Sequence, residues 1–299
     1  MIYTLTCNPS LDYVVTLDQF QPGVINRSEK EVIYPGGKGI NVGLVLNRLG
    51  VETEILAFAA GNTGKLLALL LDNEHCPYTL LPAQEGFTRI NIKIRSGEET
   101  AINGQGPVIT AAALDKLNQF IQKMHEGDML VISGTTPRGC SVDLYGSIVQ
   151  SLESRGISCV VDATGSLLLQ ALPFQPFLIK PNLEEMEEVL GHTFIGRESI
   201  FEGAKQLQEK GARNVLVSLG QNGALLLDEK GGRHAHLAPE GKMVNSVGAG
   251  DSMVAGFLAG YLPHHDYDEA LHLGICAGSA TAFTMHLAEK DAILKLAKG

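Results

Sequence analysis

Short apolar runs recur along this chain, separated mostly by stretches of helical period, and that rhythm restricts the fold more than any other feature. The runs cover residues 2–7, 54–58, 129–133, 158–162, 177–180, 215–218 and 224–227. They read as short buried strands. Between them, Val42, Val45, Leu46 and Leu49 fall at i, i+3, i+4 and i+7, and Gly50 closes that helix. Thr110 is placed to cap a helix reaching about residue 125, with Leu114, Leu117, Phe120, Ile121 and Met124 as its apolar positions. Further helices are expected near 142–155, 184–190, 200–210 and 268–285. Strands alternating with helices imply βαβ units, hence an α/β fold with a mostly parallel sheet covered on both faces.

Two regions depart from the rhythm. Residues 11–35 alternate without helical period, with Pro22-Gly23 as a turn. Residues 87–107 run Thr88-Arg89-Ile90-Asn91-Ile92-Lys93-Ile94, turn at Ser96-Gly97-Glu98, and return through Glu99-Thr100-Ala101-Ile102-Asn103. Both are hairpin-like and polar on one face, and are expected to form a small sheet that projects as a lid. With 299 residues, 44% of them hydrophobic, the chain suits one large α/β domain spanning 1–299 with that accessory lid.

The formal net charge of -10 argues against a nucleic-acid partner, which calls for a basic face. It also makes the placement of the few cations informative for any anionic ligand. Cys7, Cys76, Cys140, Cys159 and Cys276 are scattered without a C-x-x-C pair, the usage of reduced thiols. Cys7, Cys159 and Cys276 lie in apolar runs and are expected to be buried. No signal-peptide pattern precedes the first strand and no apolar run approaches a membrane span. The expectation is a soluble cytoplasmic protein with no membrane partner.

The segment richest in chemistry is Val247-Gly248-Ala249-Gly250-Asp251-Ser252. Met253, Val254, Phe257, Leu258, Tyr261 and Leu262 continue it as an apolar helical stripe. A glycine loop that feeds a helix N-terminus exposes free N–H groups suited to phosphate. A carboxylate inside such an anion nest makes sense if it handles a proton on a group that meets the anion. That points to phosphoryl transfer to a hydroxyl.

Other segments are ambiguous singly. Pro35-Gly36-Gly37-Lys38-Gly39-Ile40-Asn41 has neither the spacing of a P-loop nor that of a dinucleotide fingerprint. It is a turn before a helix, or a close backbone approach to a polar ligand with Lys38 and Asn41 hydrogen-bonding. Asn8-Pro9-Ser10-Leu11-Asp12 follows the first strand, where open α/β sheets bind ligands; Asp12 caps a turn or accepts from sugar hydroxyls. Lys180-Pro181-Asn182-Leu183-Glu184-Glu185 also follows a strand. It is a helix start favoured by the dipole, or a place where Lys180 meets phosphate and Asn182 and Glu185 orient a hydrated Mg²⁺. The stretch from Val217 to Ala224 is a strand, a glycine turn and a strand, able to floor a nucleotide. His234, His236, His264 and His265 fall in expected loops and read as solvated surface.

Together, Gly36-Gly37-Lys38-Gly39-Ile40-Asn41 and Gly248-Ala249-Gly250-Asp251-Ser252 resemble the paired signatures of the PfkB (ribokinase-like) carbohydrate kinase family. The similarity runs through the whole chain, in order. Asn8-Pro9-Ser10-Leu11-Asp12, Thr88-Arg89-Ile90-Asn91 and Ser133-Gly134-Thr135-Thr136-Pro137 resemble its phosphosugar branch. Residues 87–93 and 102–107 are most similar to the 1-phosphofructokinase group.

The resemblance implies a ribokinase-like three-layer sandwich with a β-sheet lid. It implies ATP-dependent phosphorylation of a ketohexose phosphate, foremost fructose 1-phosphate to fructose 1,6-bisphosphate, with tagatose 6-phosphate or fructose 6-phosphate as the alternative acceptor. Asp251 would be the catalytic base, and the N–H groups of Gly248, Ala249 and Gly250 the anion hole. Asp12, Gly37, Lys38 and Asn41 would hold the sugar. Arg89 would hold its existing phosphate, with Ser133, Arg27, Lys93 or Arg138 in support. Lys180, Asn182, Ser218, Gly220, Gly223, Gly248 and Ser252 would bind the nucleotide, and Asn182 and Glu185 would serve Mg²⁺ through water. Asn245 stands where many relatives carry Asp, which leaves monovalent-cation activation open.

Three further expectations follow from physics. Asp251, near a helix N-terminus, should have its pKa held low. The lid should close over the sugar to exclude water. Its unpaired edges should be buried in a homodimer. A non-catalytic sugar-phosphate or nucleotide-binding regulator on the same scaffold is the reading from another class; an aspartate beside a phosphate would give it nothing.

Overall fold

The structure is a computed structural model, and it describes residues 1–298. In chain order the elements are β1 (Ile2–Thr6), β2 (Ser10–Thr16), β3 (Lys30–Gly36), α1 (Lys38–Leu49), β4 (Thr53–Ala59), α2 (Gly61–Asn73) and β5 (Tyr78–Pro82). There follow β6 (Arg89–Ser96), β7 (Glu98–Asn103), α3 (Ala111–Ile121), β8 (Met129–Ser133), α4 (Leu144–Glu153), β9 (Ser158–Asp162), α5 (Gly165–Ala171), β10 (Leu178–Ile179) and α6 (Leu183–Leu190). The chain ends through α7 (Arg197–Glu209), β11 (Asn214–Ser218), β12 (Ala224–Leu227), β13 (Arg233–His236), α8 (Ala249–His264), α9 (Tyr267–Ala282) and α10 (Lys290–Ala297).

The large sheet has strand order β13-β12-β11-β10-β9-β8-β1-β4-β5. Pairing is parallel from β11 to β5 and antiparallel only where β12 and β13 are added. Its apolar strands are covered on both faces, as their sequences require. Leu130, Ile132, Val215 and Val217 pack into one core, with residues of α3, α4 and α7. Val131 and Leu216, one residue out of phase, pack into the other, with α1, α8 and α9. This period-2 split makes the three layers.

The chain runs from β1 to β4 on one side, and β8 lies on the other, so strand order reverses at β1. Ligands of open α/β sheets bind outside the carboxyl ends at such a reversal. The carboxyl ends here deliver Asn8, Ser133, Asp162 and Lys180, with Thr6, Ser133 and Asp162 in register across β1, β8 and β9.

The separate four-stranded sheet has order β3-β2-β6-β7, in the two segments expected to form a lid. Asp12 is in register with Tyr34 on β3 and Asn91 on β6, and Val14 with Lys93. The β6–β7 turn passes through Gly97 at φ 72°, as the turn residues indicated.

Several elements differ from the sequence expectation. The strand expected at 177–180 is reduced to Leu178–Ile179. Helices α2, α5 and α10 and strand β5 were not anticipated. The N-cap of α2 is Ala60, which gives no start signal, whereas α5 follows Thr164, whose side chain makes no cap bond. The segment holding His234 and His236 is edge strand β13, not a solvated loop. His234 Nε2 lies 2.8 Å from Asp228 Oδ2, and His236 Nε2 lies 2.9 Å from Asp268 Oδ1. His264 and His265 are exposed at the end of α8. All the cysteines are free, and Cys76 is buried together with Cys7, Cys159 and Cys276. Among the described residues, no helix is long and apolar enough to cross a membrane.

Candidate active site

The site begins with the loop before α8. Gly248 has φ 82°, the left-handed region that side chains avoid, and it turns the chain into the helix. Ser252 N–H is the first to bond back, donating to the Gly248 carbonyl at 2.8 Å, while Ala249 N–H reaches only Ser246 O at 3.4 Å. The N–H groups of Gly250 and Asp251 lie ahead of the first closed turn and have no intrahelical acceptor. A β-carbon placed on Gly250 would sit 3.3 Å from Lys180 Nζ, so a cation stands over the same loop.

Beneath the loop lies a buried charge cluster. Asp251 accepts from Asn41 Nδ2 at 2.7 Å. Asp162, 1% exposed at the carboxyl end of β9, accepts from Lys38 Nζ at 3.3 Å and pairs with Lys180 Nζ at 3.5 Å. Burial pushes Asp162 up, but Lys180 and Lys38 outweigh it and hold the carboxyl below its ordinary value. Burial likewise works against the charge on Lys38, and Asp162, Asp251 and Glu185 overcome it, leaving its pKa raised.

Asp251 corrects an expectation. Its pKa is raised to about 6, first by burial and then by the Asp162 charge, against Lys38, Asn41 and Lys180. A helix terminus carries only about half a charge, and desolvation plus a full neighbouring charge outweigh it. The result is a carboxylate mostly ionised at neutral pH, with basicity near that useful to a general base.

On the lid side, Asp12 Oδ1 accepts from Ser10 Oγ at 2.8 Å and Asn91 Nδ2 at 2.9 Å, and Oδ2 lies 3.6 Å from Lys93 Nζ. Gly37, at φ 121°, caps α1 and brings Lys38 and Asn41 onto its first turn. Arg89 donates Nε–H to the Asn8 carbonyl at 3.1 Å and Nη1–H weakly to Gly104 O at 3.4 Å. The guanidinium is half-buried and keeps donors free. The Ser133 hydroxyl is buried and without a partner. Lys93 is tied to Asp12, whereas Arg27 and Arg138 are exposed.

On the other side, Asn182 and Glu185 form a reciprocal capping box on α6. Asn182 Oδ1 accepts from Glu185 N–H at 2.7 Å and Glu185 Oε2 from Asn182 N–H at 2.8 Å. This is the helix-start arrangement, and it leaves Glu185 Oε1 outside the cap. Asn182 is bridged to Ser218, and both line a cleft of ≈ 720 Å³ with Gly220, Asn222 and Arg197. Gly223 closes the turn beside it at φ 83°. Ser252 does not join this cleft: its hydroxyl lies 2.8 Å from Thr281 Oγ1, fully buried against α9. One helical residue past Asp251 rotates the side chain by about 100° and turns it inward. Among the described residues, no group of three or more His, Cys, Asp or Glu is placed to hold a metal ion.

Thus the structure gathers Lys38, Asn41, Lys180, Gly250 and Asp251 around one buried point, sets Asp12 and Arg89 on the lid, and sets Ser218, Gly220 and Gly223 along the cleft. Sequence reasoning missed Asp162, although it ends a strand recognised as buried and parallel. A carboxylate at that position was the available signal.

A family model described as pfkB family carbohydrate kinase matches residues 6–290. The chain is 41% identical to 1-phosphofructokinase of Bacillus subtilis over 99% of this chain and 97% of that protein. It is 37% identical to D-tagatose-1-phosphate kinase of Bacillus licheniformis, over 97% and 95%. The crystal structure of phosphofructokinase-2 from Escherichia coli in complex with substrates and products superposes with a TM-score of 0.94 at 30% identity, covering 99% of this chain and 98% of that one. The chain belongs to the pfkB family of carbohydrate kinases.

Proposed function

We propose that this pfkB-family kinase transfers the γ-phosphoryl group of ATP to a hydroxyl of a ketohexose phosphate, foremost fructose 1-phosphate, giving fructose 1,6-bisphosphate and ADP. The observation that carries the reading is Asp251, buried beside free helix N–H groups and under Lys180, with a pKa raised to about 6. Phosphoryl transfer has a loose transition state, so catalysis is chiefly positioning and charge stabilisation. The N–H groups at the head of α8, with Lys180 and Lys38, meet the negative charge of the transferring group. Asp251 orients the acceptor hydroxyl and takes its proton as the new P–O bond forms. Asp12, Gly37, Lys38 and Asn41 hold the sugar, and Arg89 and Ser133 its existing phosphate. Lys180, Asn182, Ser218, Gly220 and Gly223 hold the nucleotide.

Mg²⁺ would enter with ATP and neutralise charge on its β- and γ-phosphates. Hard oxygen donors suit it, and Glu185 Oε1 is outside the capping box, so Glu185 and Asn182 would reach the ion through its waters. The Asn245 side chain bonds to the backbone of Val247 and Met285, at 3.1–3.4 Å, and brings no charge to the anion loop. Activation by a monovalent cation would therefore depend on carbonyl oxygens there. A cytoplasmic location belongs to the same reading, supported by the free thiols.

A homodimer through the lid is also part of the proposal. Its edge strands β3 and β7 are unpaired on one side, and Ile33, Ile90 and Ile102 are 39%, 39% and 56% exposed. Likeness to a D-tagatose-1-phosphate kinase favours tagatose 1-phosphate as a second acceptor. A coupled ADP-release assay over fructose 1-phosphate, tagatose 1-phosphate, fructose 6-phosphate, tagatose 6-phosphate and fructose tests the assignment. Fructose 1-phosphate is expected to show the highest kcat/KM. Turnover with none of them would leave the non-catalytic regulator as the better reading.

A further inference from the structure

Thr4 Oγ1, Asn8 Oδ1, Asn91 Oδ1, Ser133 Oγ and His286 Nε2 are buried side-chain atoms without a hydrogen-bond partner. Such atoms are costly in a folded protein and ask for a missing partner. Thr4 lies inside β1. Asn8, Asn91 and Ser133 belong to segments that frame the acceptor space. His286 comes from elsewhere, the loop between α9 and α10, and nothing in the local sequence marks it. Its ring stacks on Tyr34 of β3, with centroids 3.8 Å apart and planes at 18°. Tyr34 is in register with Asp12, so the stack sets the imidazole on the flank of Asp12. A cavity of ≈ 20 Å³ lies there, and Asp12, Asn41, Lys93, Asn245 and His286 are among its lining residues. It has room for one O–H group, from water or from a ligand, and enough polar partners to hold it. Burial above all, then the Arg48 charge, pushes the His286 pKa down to about 4, against Glu74 and Asp12 and with Lys93. The ring is therefore neutral at physiological pH, and Nε2 accepts or donates according to its tautomer.

We propose that His286 is a specificity-determining residue of the acceptor site, its Nε2 exchanging a hydrogen bond with a C3 or C4 hydroxyl of the bound ketohexose phosphate beside Asp12. The proposal rests on the acceptor reading above. The cavity has the size of one water, and in the complex the sugar hydroxyl would take that place. A site built around one such bond discriminates against an isomer that aims the hydroxyl elsewhere, because the buried nitrogen is then unpaired.

The test measures kcat and KM for fructose 1-phosphate, its C4 epimer tagatose 1-phosphate and its C3 epimer psicose 1-phosphate, in wild type, His286→Phe and His286→Gln. Phe keeps the stack on Tyr34 and removes the nitrogen; Gln keeps hydrogen-bonding capacity. His286→Phe is expected to lower kcat/KM for the preferred epimer about tenfold or more, mostly through KM. The preference ratio among epimers shrinks alongside, the KM for ATP is unchanged, and Gln restores part of the ratio. An unchanged ratio in His286→Phe, whether all epimers lose equally or none does, overturns the proposal and leaves the acceptor reading intact. A wild type inactive on every ketohexose phosphate overturns both.

Discussion

The floor of the site and its lid are built in opposite ways. On the floor every charge already has a partner: Asp251 has Asn41, and Asp162 has both Lys38 and Lys180. Toward the lid, Asn8, Asn91, Ser133 and His286 each keep a buried polar atom unpaired, and Arg89 is bonded only to backbone carbonyls. The floor is thus organised before any ligand arrives, as electrostatic stabilisation requires. On the proposed reading, the lid side is completed by the ligand, and substitutions of the paired floor charges and of the unpaired lid-side groups should fail differently.

The largest effect is expected on the floor. Asp251→Asn removes the base while preserving shape and should cut kcat by about 10² to 10⁴-fold, with calorimetric affinities for ATP and the sugar phosphate nearly intact. Turnover within a few-fold of wild type would break the assignment. The same substitution bears on stability. Asp251 has its folded pKa raised from 3.8 to about 6. The folded state then binds the proton more tightly than the unfolded one. Its contribution is fully present below pH 4 and is lost as pH rises through 6. At pH 8 the Asn variant should be more stable than wild type, by at most about 3 kcal/mol at about 1.4 kcal/mol per pKa unit, as chemical denaturation would show.

Asp162→Asn should lower stability by up to about 3 kcal/mol, because it takes the paired carboxylate from buried Lys180, while Lys38 is part-exposed and both lysines keep the charge of Asp251 nearby. It also removes a like charge from Asp251, so the acid limb of the kcat profile, near pH 6 in wild type, should move to lower pH. A limb that stays in place would mean that Asp162 does not set the base.

On the lid the expected losses are smaller and selective. Arg89→Ala should cost about 10 to 150-fold in kcat/KM for fructose 1-phosphate and much less for fructose. An unchanged preference for the phosphorylated sugar would remove Arg89 as its phosphate ligand. Smallest is the change expected from Ile102→Lys on edge strand β7. The lid edge should no longer pair with its copy, and light scattering should show the dimer giving way to monomer. A wild type that is monomeric and fully active at micromolar concentration would end the lid-dimer reading.

Much of this division was legible beforehand. The lid segments stood out by alternation and by the Ser96-Gly97-Glu98 turn, and β6 and β7 pair as that pattern requires. The Gly248 loop and α8 were legible because a glycine turn and an apolar stripe of helical period are local signals. For Ser252, membership in a motif did not say which way the side chain points, and the helix turns its hydroxyl toward Thr281. The Asn182–Glu185 pair could be read as a cap or as an aid to Mg²⁺, and the cap is what the geometry displays.

What the sequence by itself determined is what neighbours along the chain can decide: strand and helix alternation, glycine turns, the Thr110 cap with its bond to Ala113 N–H, and an anion-ready helix start carrying a carboxylate. Tertiary structure alone decided the state of that carboxylate. Desolvation and the field of Asp162, which ends a strand far away in sequence, lift Asp251 to about 6, where the helix dipole alone would have kept it low. It likewise decided that His286 lies on Tyr34 beside Asp12. Burial and through-space charge depend on which distant segments pack together, and no local pattern encodes them.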